Sequence, residues 1–163
     1  MPQPAHKSQT SQYQPEVGCS ASFRVRYYET DTMGITHHSN YLRWFEVGRT
    51  EYLRAADMTY AGLEAMGLGS PLTGARCRYL HPSRYDDLVT VQTWISSYNG
   101  VRLTMAYAVW HEGRLICDGE TDHAFVWQGR PVSLSRSLPE VHAKMLAGMA
   151  RDQANRETCE KTI

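Results

Sequence analysis

Apolar and polar positions first alternate between Ser22 and Thr30, where Phe23, Val25 and Tyr27 interleave with Arg24, Arg26 and Tyr28. A period of two over β-friendly residues predicts a strand with one buried face. From Asn40 the period lengthens: Tyr41, Trp44, Phe45, Gly48, Tyr52, Leu53 and Ala56 recur at spacings of three and four. That stripe predicts one long, half-buried helix, with Arg43, Arg49 and Arg54 mainly off it and Ser39 or Asn40 placed to cap its start. A shorter helical turn is expected around Ala61 to Met66, stopped by the glycines of "MGLGSP". Strands then dominate, at Leu72 to Leu80, Leu88 to Ser97, Val101 to Val109 and Leu115 to Trp127. "NG" at Asn99-Gly100 is a two-residue hairpin signal, and "HEGR" and "QGRP" mark further turns. "SLPE", from Ser137 to Glu140, has capping-box spacing and opens a C-terminal helix through about Met149. The order β-α-β-β-β-β-α describes an α+β domain with a mostly antiparallel sheet, not a doubly wound nucleotide fold.

Composition narrows the possible partners. A chain of 163 residues suits one domain with a real core. We expect residues 1–21, polar and rich in Gln, Ser and Pro, to form a flexible tail, residues 22–150 the domain, and residues 151–163 a C-terminal tail. Seventeen basic residues balance seventeen acidic ones, so no global field draws the protein to nucleic acid or an anionic membrane. The longest apolar run, "MAYAVW", is far short of the ~20 residues a bilayer span needs, and the N-terminus lacks a signal pattern. Cys19, Cys77, Cys117 and Cys159 are widely scattered without a CxxC pair, so neither a zinc site nor a disulfide framework is expected and a reducing cytoplasm is the default.

The connection between the first strand and the long helix holds the candidate chemistry. Asp31, Thr32, Gly34 and Asn40 taken singly are ordinary turn residues, and an acid near a helix start is favourable without any catalytic task. Together they offer more. Asp31 lies seven residues before His38, and Gly34 permits a tight path by which the carboxylate folds back toward the helix entrance. The free N–H groups at that entrance, around His38, can face an acyl oxygen while Asp31 approaches the same carbon or a water beside it. Oxyanion donors and a base or nucleophile are the minimal equipment for acyl transfer. A thioester carbonyl is electrophilic enough for a carboxylate to serve. Asp31, His37 and His38 also carry metal-ligand atoms, but no HExxH or other helical ligand spacing accompanies them and no metal is expected.

"YYETDTMGITHHSNYLRWFEVGRTEYL" also resembles the signature of hotdog-fold acyl-CoA thioesterases of the 4-hydroxybenzoyl-CoA thioesterase type. Asp31, Gly34, Ile35, His38, Asn40, Tyr41 and Leu42 fill that pattern in order, followed by Glu46, Arg49 and Glu51. "YLHPSRYDDLVTVQTWI" and "GETDHAFVWQGRPVSL" extend the similarity over Ser22 to Leu134. The resemblance implies a long helix wrapped by a curved antiparallel sheet, paired in a homodimer or homotetramer with active sites at the dimer interface. It implies acyl-CoA as substrate and no cofactor. It assigns Asp31 as nucleophile or general base and the His38 amide as carbonyl-polarising donor. Tyr27 takes the position of a supporting tyrosine, and Thr36 and His37 depart from the commoner apolar and aromatic choices. Hydrolysis of acyl carrier protein thioesters and a non-catalytic acyl-CoA-binding module are the alternatives.

The remaining candidates have plain readings beside the sharper ones. Tyr41 at the helix entrance can line an acyl tunnel, whereas Trp44, Phe45 and Tyr52 read as core. Arg84, beside "YDD", and Arg130, in the last turn, are candidates for CoA phosphates. Asp118, Glu120 and Asp122 alternate along the last strand and read as a solvated face rather than a cation site. His123 falls on the opposite face, where it either approaches an active site or packs with a hydrogen bond. Glu46 and Arg49, at i,i+3, read as anchoring for the helix.

Overall fold

The computed structural model describes residues 18–160, with side chains through Thr158. The expected N-terminal tail therefore lies outside the described residues except for its last four positions. Three of those, 19–21, belong to a strand: β1 runs Cys19–Arg24, earlier than the expected Ser22 to Thr30. It ends early because the chain turns into a 3-10 turn at Tyr27–Glu29. Glu29 is the reason. Its carboxylate is buried and accepts from the Arg26 amide at 2.8 Å and from the Trp44 indole N–H at 3.0 Å, and the first of these bonds, three residues back along the chain, requires a turn where an extended strand would hold the two groups apart.

The long helix α1 spans Ser39–Ala55 and buries Tyr41, Trp44, Phe45, Gly48, Tyr52 and Leu53, the stripe read from its period. A short helix α2, Tyr60–Ala65, follows, capped by the Thr59 hydroxyl, which accepts from the Gly62 amide. Then come β2 (Leu68–Gly69), β3 (Leu72–Tyr79), β4 (Leu88–Tyr98), β5 (Arg102–His111) and β6 (Arg114–Ala124). The strand expected through Trp127 breaks after Ala124. Val126–Trp127 forms β7, which pairs with β2 and with β8 (Arg130–Pro131) in a small separate sheet. The main sheet has the antiparallel order β1-β4-β5-β6-β3, so β3 is an edge strand. At the β4–β5 turn Tyr98 pairs with Leu103 and the Asn99 amide donates to the Arg102 carbonyl, so the two-residue loop is Gly100-Val101, one position beyond the expected Asn99-Gly100, and the Asn99 side chain accepts from the Val101 and Arg102 amides.

Helix α1 lies across one face of the main sheet, and their shared core joins Val25, Phe45, Val89, Val91, Met105, Tyr107, Val109 and Ile116. Phe45 stacks on Tyr107, ring centroids 4.3 Å apart. Gly48 sets how closely helix and sheet approach. A Cβ there would meet Thr93 Oγ1 at 2.3 Å and Val91 Cγ1 at 2.9 Å. Gly48→Ala is therefore expected to destabilise the fold by about 1–3 kcal/mol through overpacking, despite the helix-propensity gain of up to ~1 kcal/mol. Urea unfolding checks this. A neutral or stabilising result would mean that α1 can lift off the sheet without cost.

After a four-residue helix α3 (Leu134–Ser137), α4 runs Pro139–Glu160. It continues well past the expected stop near Met149, so residues 151–160, expected as a tail, are helical. A buried carboxylate holds them. Asp152 is fully buried and its Oδ2 accepts from the Tyr52 hydroxyl of α1 at 2.6 Å and from the Ile95 amide at 3.0 Å, beside an irregularity in the β4–β5 register. Among the described residues no helix is long and apolar enough to cross a membrane.

Candidate active site

Residues 30–37 fold as a strap between the 3-10 turn and α1. Thr30 bridges Thr36, the His37 amide donates to the Glu29 carbonyl at 2.8 Å, and the Asp31 amide donates to the Ile35 carbonyl at 3.0 Å. Gly34 completes the turn with φ +73°, a region that favours glycine. Asn40 does not cap the helix. Its side-chain amide donates to the carbonyls of Glu29 and His37, at 2.8 and 3.3 Å, and so ties the strap to the first turn of α1. The Ser39 hydroxyl likewise goes to His37 Nδ1 at 2.8 Å, and the N-cap position, His38, has no side-chain cap. From below, the β3–β4 connection holds the strap: the Thr36 amide donates to the Ser83 carbonyl at 2.8 Å, and the fully buried Ser83 hydroxyl meets both Thr36 Oγ1 and the Tyr41 hydroxyl.

On this support Asp31 is half-buried, and its Oδ1 accepts from the Met33 amide at 2.8 Å. Oδ2 has no hydrogen bond among the described residues. At the helix entrance the amides of His37, Ser39, Asn40 and Tyr41 all have acceptors, whereas the His38 amide has none among the described residues. One carboxylate oxygen in the strap and one amide donor at its junction with α1 are thus without a hydrogen-bond partner among the described residues. The His38 ring is exposed, tilted against His37 and edge-on to Tyr79, whose hydroxyl donates to the His38 carbonyl at 3.1 Å.

The other candidate residues divide. Gly34 sits in the strap, and Arg84 reaches it, its guanidinium 3.5 Å from the Gly34 carbonyl. Tyr27 is exposed and edge-on to Tyr85, ring centroids 5.6 Å apart. Tyr41 is buried below the entrance, between Trp44 and Tyr79. Arg130 is not brought to this place within one chain. The strap lies by Leu88 and His111 at one end of the main sheet, while β8 follows Ala124, which pairs with Arg102 at the other. Sequence reasoning missed Glu29, Ser83 and Tyr79. Only the buried partners of each reveal them, although Tyr79 stood in a predicted strand.

The surface around the strap is apolar. Tyr27, Tyr28 and Met33 are each about three-quarters exposed, and Tyr79, Leu80, Tyr85 and Leu42 are also open. Elsewhere the carboxylate row of β6 is answered by arginines of β3: Arg76 pairs with Glu120 and Asp122, and Arg78 with Asp118. The row is one half of a cross-strand ladder of ion pairs.

His123 is a packed core histidine, away from the strap. It contacts the Thr121 hydroxyl at 2.8 Å and the Ser70 carbonyl at 3.3 Å, with Arg49 Nη1 3.0 Å from its ring nitrogens. Burial first, and then the Arg49 charge, push its pKa down to about 4. The unfolded chain therefore binds this proton more readily than the folded one. Its neutral form is fully compatible with folding above the ordinary histidine pKa near 6.5. Stability should fall as pH drops from about 6.5 to about 4, by roughly 3 kcal/mol at full extent, and this contribution levels off below that window. Urea midpoints across that range should show the decline, and His123→Gln should flatten it. An unchanged slope in the variant would assign the decline to other groups.

An antiparallel sheet wrapped on one long helix, with the strand-to-helix strap at the helix entrance, is the hotdog fold. Residues 25–146 match the Thioesterase-like superfamily, and the chain belongs to it. A protein of Aquifex aeolicus whose name proposes an esterase is 38% identical over 118 residues, covering 72% of this chain and 92% of the relative. YneP of Bacillus subtilis, whose name proposes an acyl-CoA thioesterase, is 35% identical over 121 residues, covering 72% and 88%. Among solved structures, a DHNA-CoA thioesterase of Staphylococcus aureus superposes with a TM-score of 0.78 at 31% identity, over 83% of this chain and 93% of its own.

Proposed function

We propose that the protein hydrolyses acyl-CoA thioesters to a carboxylic acid and free CoA, by chemistry of the 4-hydroxybenzoyl-CoA thioesterase type. The observation that carries this reading is that Asp31 Oδ2 in the strap and the His38 amide at its junction with α1 are both without a hydrogen-bond partner among the described residues. A thioester carbonyl held at the entrance of α1 would place its oxygen at the His38 amide, which strengthens its hydrogen bond as negative charge develops. Asp31 then attacks the carbonyl carbon, giving an anhydride that water opens, or removes a proton from the attacking water. Both routes expel CoA as the thiol. Tyr41 closes the floor of the acyl site, Tyr27 and Tyr85 form its wall, and Arg84 stands where CoA phosphates can pair with it.

The same reading makes the working unit a homodimer or a larger homo-oligomer. The edge of β3, unpaired among the described residues, and the exposed apolar side chains beside it favour pairing with a second copy. Two-fold pairing of β3 edges would lay the far end of the partner, which carries its Arg130, against the strap. That arrangement accounts for an arginine that one chain leaves remote.

Release of free CoA thiol should be measured across short, medium, long and aromatic acyl-CoAs, beside an acyl carrier protein thioester. Turnover of at least one acyl-CoA supports the reading, and preference for the carrier-protein substrate would reassign the donor. Tight acyl-CoA binding without any turnover would instead make the protein a binding module.

A further inference from the structure

Two cysteines forty residues apart in sequence meet beside this site. Cys77 of β3 and Cys117 of β6 bring their sulfurs to 3.3 Å. Neither is directly opposite the other: Cys77 pairs with Gly119 and Cys117 with Tyr79, so the contact crosses the ladder diagonally. Cys117 is fully buried, while Cys77 is half-buried and shares the inner face of β3 with Tyr79, two residues on. Among the described residues β3 has β6 as its ladder partner in the main sheet, so a bond between their side chains acts directly on the seating of β3. Tyr79 is the link to the strap, through its hydroxyl on the His38 carbonyl and its ring against Tyr41.

We propose that Cys77 and Cys117 form a peroxide-sensitive dithiol that closes to a disulfide across β3 and β6, and that closure lowers thioester hydrolysis by displacing Tyr79 from the helix entrance. The second part rests on the function proposed above, and the first does not. The Cys117 hydrogen bond lowers the Cys77 pKa against the opposing effect of burial, so the thiolate forms on Cys77, the less buried of the two cysteines. That thiolate attacks one oxygen of a peroxide, the O–O bond breaks, and the departing hydroxide takes up the proton that Cys77 released, forming water. Cys77 is then a sulfenic acid. The Cys117 sulfur attacks the Cys77 sulfur, the S–O bond breaks, and the hydroxyl leaves with the Cys117 proton as a second water. The two sulfurs are oxidised and the peroxide is reduced, with nothing left over. Closing from 3.3 Å to a bond of about 2.05 Å draws the edge strand inward.

The full-length protein treated with hydrogen peroxide should lose two titratable thiols and the mass of two hydrogens, and proteolysis should yield one linked pair of peptides containing Cys77 and Cys117. Cys19→Ser with Cys159→Ser should behave in the same way. Hydrolysis should fall by about tenfold or more, as expected when a reacting geometry shifts by a fraction of an ångström, and a dithiol reductant should restore it. Cys77→Ala should keep its turnover and lose its sensitivity to peroxide. Persistence of both thiols, or Cys77 carrying added oxygen while Cys117 stays free, overturns the dithiol. A complete disulfide with undiminished hydrolysis overturns its effect on the site. The thiol and mass readings need no turnover, so a protein that closes the bond but hydrolyses no thioester overturns the catalytic reading and leaves the dithiol standing.

Discussion

Asp31→Asn is expected to lower kcat for the best acyl-CoA by about 10²–10⁴-fold, the range associated with loss of a positioned base or nucleophile, with little change in KM. The fold should not suffer. An asparagine Oδ1 still accepts from the Met33 amide, so the turn that shapes the strap is kept and only the charge and basicity are removed. Thiol release and thermal unfolding on the same preparations separate the two effects. Unchanged turnover in a well-folded variant would remove Asp31 from the chemistry. Lost turnover with a lowered melting temperature would point instead to damage in the strap.

Asp152→Ala should produce the largest loss of stability. It leaves the Ile95 amide and the Tyr52 hydroxyl without their shared acceptor in a fully buried place, which costs about 3 kcal/mol and on the order of 10 °C in Tm. Asp152→Asn offers one carbonyl oxygen with two lone pairs and should recover most of that loss. The comparison isolates hydrogen bonding from volume. Equal loss in both variants would mean that the negative charge, and not the acceptor, holds α4 to α1 and β4.

What could be read along the chain and what could not follow from one physical distinction. Local period announced α1, because Tyr41 through Leu53 repeat an apolar face that one helix alone can bury. Local turn chemistry likewise announced the strap and its position before that helix, with Asp31, Gly34 and His38 in place. Non-local partners left no such mark. Nothing near Ser83 signals that it will hold Thr36 and Tyr41, since that contact closes a loop of more than forty residues. Asp152 read as one more polar residue of a tail because Tyr52 lies a hundred positions away. Glu29 was absorbed into a strand by simple alternation, and its buried partners, the Arg26 amide and Trp44, overruled that period. Arg76 and Arg78 were likewise invisible as partners until β3 and β6 were aligned. The placement of Arg130 differs in kind: one chain carries it at the end of the sheet away from the strap, and it would come near the strap through the proposed pairing of two copies.

The most direct measurement of the central claim is a crystal structure of Asp31→Asn holding an intact acyl-CoA. The account predicts a thioester oxygen about 3 Å from the His38 amide nitrogen and the carbonyl carbon within about 3.5 Å of the residue 31 side chain. A thioester bound away from the entrance of α1, or a residue 31 side chain turned from it into solvent, would contradict the account.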